Sequence, residues 1–236
     1  MNDRPSLNAA LVTRDLAHVW HPCTQMREHD DALPLVPIVR GDGAWLVDAD
    51  GKRYLDGISS WWTNLFGHAN PRIAAAIADQ AAKLNHVMLA GFTHEPALRL
   101  AEELVRITPP GLDHVSYASD GASAVEIALK MSFHYWHNAG RPQRTRFIAL
   151  ANAYHGETLG ALSVSDLPLY RAVYGPLLFD PIVAPSPDWL DAEPGESPDD
   201  VAQRRLGDLR GLLERHAQET CAVIVEPLVQ CSGGMR

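Results

Sequence analysis

Apolar positions follow two different patterns along this chain, and the change between them divides it. Three short apolar-rich runs, Val36–Arg40, Ala44–Val47 and Lys52–Leu55, are separated by Gly41-Asp-Gly43 and Asp50-Gly51. An Asp-Gly pair between such runs signals a hairpin, so the three together predict a small antiparallel meander. The residues before it, 1–34, are irregular apart from a short polar helix predicted near 12–19.

Beyond the meander, helical spacing takes over. Asn70-Pro71 predicts a helix start, with Asn as cap and Pro at the first helical position, running to about Leu84. A second helix is predicted from near Pro96 to before Pro109-Pro110. A third begins after Ala118 and runs to about Asn138, with Val125, Leu129, Ser132 and Trp136 recurring at helical spacing. A short helix is expected after His155-Gly156, and an amphipathic one over Pro198–His216. Between them lie His114–Ala118, Arg146–Leu150 and Thr220–Val225, which read as strands. Largely apolar strands alternating with helices predict an α/β fold, its parallel sheet covered on both faces and the meander outside it.

Charge and cysteine content narrow the class. A net charge of −9 argues against a nucleic-acid surface. Part of that excess is local: 188–200 holds six carboxylates and no Lys or Arg, and reads as a solvated loop. Three cysteines, an odd number, do not suit a disulfide framework. No apolar run reaches 18 residues and no basic-then-apolar leader opens the chain, so neither a membrane span nor a secretory signal is expected. The expected compartment is a reducing cytoplasm.

Candidate chemistry gathers at three places. Ala118-Ser-Asp-Gly-Ala-Ser-Ala-Val-Glu126 runs from an apolar segment through small residues straight into a helix, which collects main-chain N–H groups and a positive helix end around an anion. The same residues also suit a plain packing turn, and spacing does not choose between the two. It is neither a Walker loop nor a dinucleotide turn. Tyr154-His-Gly156 follows the Arg146–Leu150 run, at the sheet edge where open α/β folds bind ligands, and a Tyr ring there can stack on a flat cofactor. Trp61 and Trp62 are adjacent in the loop 57–67; on an extended segment they face opposite ways, one toward the core and one toward a pocket or interface. Glu226 ends an apolar strand at the same sheet edge as Tyr154, suited to a hydrogen bond or a cation. His18-x-x-His21 and His134-x-x-His137 have ligand spacing but no matched partners, so no metal is expected.

Taken together, His18-Val-Trp-His-Pro-Cys-Thr24, Asp48–Gly57, Ser59-Ser-Trp-Trp62, Ser119–Met131, Ala153-Tyr-His-Gly-Glu-Thr158 and Val225-Glu-Pro-Leu-Val-Gln230 resemble the class III pyridoxal-phosphate aminotransferases. The Trp-His-Pro and Ser-Ser-Trp-Trp signatures narrow the resemblance to the branch of biotin biosynthesis. That branch moves an amino group from S-adenosylmethionine to 8-amino-7-oxononanoate. The resemblance implies the type I fold of pyridoxal-phosphate enzymes, working as a homodimer. It divides the chain into an N-terminal segment with the meander, 1–66, and the first part of the large cofactor domain, 67–236. It further implies that Gly121 and Ala122 hold the cofactor phosphate, that Tyr154 stacks on the pyridine ring and borders the substrate, and that Glu226 joins the polar network beside the ring. Trp61, Trp62 and Cys23 fall at substrate-contacting positions. Ala122 stands where many members have Ser, and Cys23 where they commonly have Tyr. The family's cofactor-binding Lys and pyridine-nitrogen acid lie beyond Gly233-Gly-Met-Arg236, and Lys52, Lys83 and Lys130 are ill placed to replace the former. The implication is an N-terminal part with no catalytic residue of its own, inactive alone. Other ω-aminotransferases of the class, or a non-catalytic binding protein, are the alternatives.

Overall fold

In the computed structural model, which describes residues 6–235, the N-terminal runs form strands β1 (Ile38–Asp42), β2 (Trp45–Asp48) and β3 (Arg53–Leu55). They pair antiparallel in that order. β1 starts and ends two residues later than expected, because Asp42 pairs with Trp45 and the turn shrinks to Gly43-Ala44. The β2–β3 connection is organised by Asp48, which is buried. Its carboxylate accepts from the Asp50 and Lys52 amides at 3.0 and 2.8 Å, and from Tyr54 Oη and Asn8 Nδ2, both at 2.9 Å. Burial alone would raise this carboxyl, but those donors hold it below its ordinary value. Asn8 belongs to α1 (Leu7–His18), which starts earlier than expected because Ser6 caps it and Asp50 receives the Leu7 amide.

The helix after Asn70 is α2 (Pro71–Lys83); the Asn70 side chain accepts from the Arg72 and Ile73 amides, the capping expected of Asn before Pro. The next is α3 (Glu95–Ile107). Contacts gather the chain into two compact units, one ending at Leu100 and the other starting at Ala101.

The second unit is α/β. Its elements are α4 (Gly121–Asn138), β4 (Arg146–Leu150), α5 (Leu159–Ser163), α6 (Pro168–Arg171), β5 (Ile182–Ala184), α7 (Pro198–Arg215) and β6 (Thr220–Ile224). The three strands form one parallel sheet in the order β5-β4-β6. β4 is central and buried, and its alternating side chains supply both faces. Phe147 and Ala149 join Leu129 of α4, with Val125 and Trp136 packed beside them. Ile148 and Leu150 join Ile182 and Ala184 under Leu209 and Leu212 of α7. The apolar stripe read on α4 is thus its core face.

Three expectations change. His114–Ala118 is not a strand: the segment bonds to no ladder, and only Val115 is partly sheltered. β5 was not anticipated, since three residues in a Pro-flanked stretch carry no clear period. The acidic stretch 188–200 is solvent-exposed as read, apart from Asp188 and Glu196, but it carries local structure that the reading of a plain loop did not include. Asp188 is buried and caps the 3-10 turn Trp189–Asp191, while Ser197 and Asp200 form a reciprocal capping box on α7. Glu196 accepts from Arg204 Nε and Nη2 at 2.8 and 2.7 Å.

The Arg204 contacts, followed by the Glu193 amide, lower the Glu196 carboxyl to about 2. A depressed folded-state value stabilises above the unfolded value, near 4.5, and that stabilisation is lost as pH falls toward 2. Glu196→Gln is therefore expected to melt below the parent at pH 6, with the gap closing between pH 4.5 and 2. A gap independent of pH would refute the assignment.

Candidate functional site

In the second unit the site is built at the carboxyl end of β4, where the chain leaves the sheet through Ala151–Gly156. Tyr154 donates its amide to Glu226 Oε2 at 2.8 Å, across from the end of β6. His155 donates its amide to the Oγ of Ser165, a fully buried residue, at 2.9 Å. Asp166 accepts the Asn152 amide and returns its own to Ala153. The loop is therefore held by successive amides, which fixes where the Tyr154 side chain emerges. That ring lies 5.7 Å from the Tyr170 ring and its hydroxyl donates to Glu157.

The loop seats on the first turn of α4. Gly156 adopts φ +125°, and a Cβ there would stand 2.7 Å from Ala122 Cβ and 3.1 Å from Ala122 Cα. Only glycine allows both the conformation and the approach. One turn on, Glu126 Oε1 accepts the amides of Gly160 and Ala161 at 2.7 and 3.2 Å, tying α4 to the start of α5. Gly121, Ala122, Tyr154 and Glu226 are thus brought together.

The α4 N-terminus carries its own carboxylate. Asp120 Oδ1 accepts the Ser123 amide at 2.8 Å, and Oδ2 accepts both the Ser123 and Ser119 hydroxyls. The Ser123 amide, then the Ser123 hydroxyl, lead in holding this carboxyl below its ordinary value. Beside that cap the space is open at Gly121, where nothing stands within 4 Å of a notional Cβ. An anion there would meet the positive end of an 18-residue helix. His155 is held below its ordinary value first by burial, against an opposing pull from Glu226. Its Nε2 is buried and has no hydrogen-bond partner among the described residues. Open space at Gly121, an aromatic loop seated on the same helix end and a buried unpartnered imidazole nitrogen fit a phosphate-bearing flat cofactor.

Ser165, Glu126 and Gln230 were not among the residues expected to matter. Gln230 is buried, accepts from Ser186 Oγ at 2.7 Å and donates to the Ala151 carbonyl at 2.9 Å, joining the segments after β4, β5 and β6. The available sequence signal was weak: small polar residues inside the apolar run 161–165, and a Gln closing the Val225–Gln230 motif.

Trp61, Trp62 and Cys23 belong to the first unit. The tryptophans do not lie on an extended segment. Ser59, Ser60, Trp61 and Trp62 have φ of +49°, +49°, +59° and +66°, forming a left-handed helical turn. Each such residue costs about 1–2 kcal/mol over its right-handed form. Neither indole is core: they are 58% and 64% exposed. Cys23 is exposed and also left-handed, at φ +56°.

The family described as Aminotransferase class-III matches residues 25–236. The adenosylmethionine-8-amino-7-oxononanoate aminotransferase of Geobacter sulfurreducens is 44% identical over 94% of this chain and 49% of its own length. The enzyme of the same name from Nitratidesulfovibrio vulgaris is 45% identical over 98% of this chain and 43% of its own length. The chain thus spans about half the length of the curated relatives it matches. Among solved structures, the adenosylmethionine-8-amino-7-oxononanoate aminotransferase of Methanocaldococcus jannaschii superposes with a TM-score of 0.83 at 40% identity, covering 94% of this chain and 48% of that one. An (S)-enantioselective omega-transaminase from Thermomicrobium roseum gives 0.87 at 33% identity, covering 96% and 51%. With a family match across nine-tenths of its residues, the chain belongs to the class-III aminotransferases.

Proposed function

We propose that this chain supplies the phosphate end of a pyridoxal 5'-phosphate site and part of the substrate wall in a biotin-pathway aminotransferase. The reaction would move an amino group from S-adenosylmethionine to 8-amino-7-oxononanoate, giving 7,8-diaminononanoate. The observation that carries the reading is the seating of Gly156 on Ala122, which puts the Tyr154 loop against the open end of α4. A homodimer, a cytoplasmic location and a division at 1–66 and 67–236 go with it.

When bound, the cofactor supplies the electron sink at the carbon whose amino group moves. The chain's residues do the binding and orienting. Main-chain N–H groups at Gly121 and Ala122 hold the phosphate at the helix end, and Ala122 contributes no hydroxyl to it. Asp120 shares that end, so its carboxylate must stay on the Ser123 side. Tyr154 presents its ring to the cofactor plane, and Glu226 keeps that ring in place through the Tyr154 amide. Trp61 and Trp62 offer flat apolar walls suited to the long aliphatic chain of the acceptor. Cys23, at another position expected to touch substrate, offers neither a large ring nor a phenol hydroxyl.

A second reading, another class III aminotransferase acting on ω-amino compounds, is favoured by the likeness to the Thermomicrobium roseum omega-transaminase. The test is turnover by the protein isolated from its source, supplied with pyridoxal phosphate and 8-amino-7-oxononanoate. Formation of 7,8-diaminononanoate only with S-adenosylmethionine supports the first reading. Amine-dependent turnover without it supports the second. Cofactor binding without turnover under either condition overturns both in favour of a binding protein.

A further inference from the structure

A left-handed turn of four non-glycine residues needs a restraint, and its own indoles provide none, since both are mostly exposed. Three backbone bonds close it, Trp62 N–H to Ile58 at 2.9 Å and the Thr63 and Asn64 N–H groups to Ser59, both at 3.1 Å. Such bonds are equally available to a right-handed turn. What distinguishes the observed form is Asp56. Its Oδ1 accepts the Ser60 amide at 2.9 Å and its Oδ2 the Ser60 hydroxyl at 2.8 Å. Oδ2 also meets His68 Nε2 at 2.7 Å, and since a carboxylate only accepts, that nitrogen donates.

Both partners of this pair are fixed by the meander. Asp56 donates its amide to the Ala44 carbonyl at 2.9 Å, continuing the β2–β3 ladder. His68 exchanges two backbone bonds with Gly43, at 3.1 and 2.7 Å. A side chain at Gly41 would collide with the His68 Cβ, so that approach requires glycine. The Asp56 side chain is only 6% exposed, so the restraint is enclosed while the indoles it governs face outward.

We propose that Asp56, braced by His68, is the positioning residue that holds Ser59–Trp62 left-handed and so sets where the Trp61 and Trp62 rings point. Its bearing on substrate rests on the reading above, in which those rings wall the acceptor site; the clamp itself does not. Asparagine at this position would turn an NH2 toward two donors, the Ser60 hydroxyl and His68 Nε2, or else lose the Ser60 amide.

The test is 19F NMR of the full chain labelled with 5-fluorotryptophan, with Trp61→Phe and Trp62→Phe assigning two of the six resonances. Asp56→Asn is expected to move both toward the random-coil position while Trp45 and Trp136 stay in place. His68→Ala should broaden the same two, and His68→Gln, which keeps a donor, should restore them. Where Asp56→Asn is insoluble, His68→Ala carries the test. Unmoved Trp61 and Trp62 resonances in the soluble variant overturn the clamp, and so does movement of Trp45 to the same extent, which would mean general loosening. Kinetics separate the two layers. Measured in the catalytically competent protein that contains this chain, Asp56→Asn raises KM for the acceptor about tenfold with kcat little changed. If the resonances move but neither tryptophan variant nor Asp56→Asn changes that KM, the substrate-wall reading fails and the clamp stands.

Discussion

Gly156→Ala is expected to destabilise the second unit by about 2–5 kcal/mol, from backbone strain and overpacking together, and to weaken pyridoxal phosphate binding more than tenfold. The conformation at φ +125° is one L side chains rarely adopt, and the added methyl would lie 2.7 Å from Ala122 Cβ and 3.2 Å from Ala161 Cβ. Backbone lies on one side of the methyl and a buried helix on the other, so relief requires the loop to lift away from α4. Lifting it separates Tyr154 from Gly121, the two parts that the proposed site turns toward the cofactor. Gly195→Ala is the matched control. It has φ +94° but open space around the notional Cβ, so it bears conformational strain alone, about 1 kcal/mol. Thermal melts and cofactor titrations of the two variants distinguish the causes. Equal destabilisation would mean that close packing on Ala122 contributes nothing, and unchanged cofactor affinity in Gly156→Ala would remove the seated loop as support for the proposed site.

The elements that sequence made legible are those whose causes are local. Asn70 before Pro71 predicts the start of α2, because cap and first turn are adjacent. The stripe Val125, Leu129 and Trp136 marks the core face of α4, and Arg146–Leu150 stands as β4 at the predicted bounds. The misses have causes elsewhere in the chain. His114–Ala118 has the composition of a strand, but a strand exists only where a ladder receives it, and no apolar pattern contains its partner. The turn at Ser59–Trp62 has no glycine or asparagine to announce it. Its determinants are Asp56 and His68, twelve residues apart and joined only once the meander has folded. Candidate site residues divide the same way. Gly121, Tyr154 and Glu226 could be named because each opens a helix or closely follows a strand that the sequence shows. Ser165 and Glu126 act by receiving amides of the loop and of α5, contacts that leave no spacing in the sequence.

Trp136→Ala is expected to cost about 3–5 kcal/mol, the range for truncating a large core aromatic, and to abolish a cooperative melt in the second unit if its margin is smaller than that. The indole joins α4 to β6: Nε1 donates to the Cys221 carbonyl at 2.7 Å, and the ring packs on the cluster of Leu129, Phe147 and Cys221. Its face carries the Arg144 guanidinium at 4.2 Å, which in turn donates to the Thr220 carbonyl at 2.9 Å. One side chain therefore organises two carbonyls at the start of a strand whose far end delivers Glu226. Trp136→Phe separates the contributions, because it keeps much of the ring and removes the donor, for about 1–3 kcal/mol from an unpaired buried carbonyl. The two variants should differ by the packing and cation contribution that Phe retains. Chemical denaturation of both, with tyrosine fluorescence reporting the loop, checks it. If the phenylalanine variant were as unstable as the alanine one, the bond to Cys221 would be the whole connection. If neither moved the melt, α4 would be held to the sheet by Leu129 and Val125 alone, and β6 would not depend on this helix for the placement of Glu226.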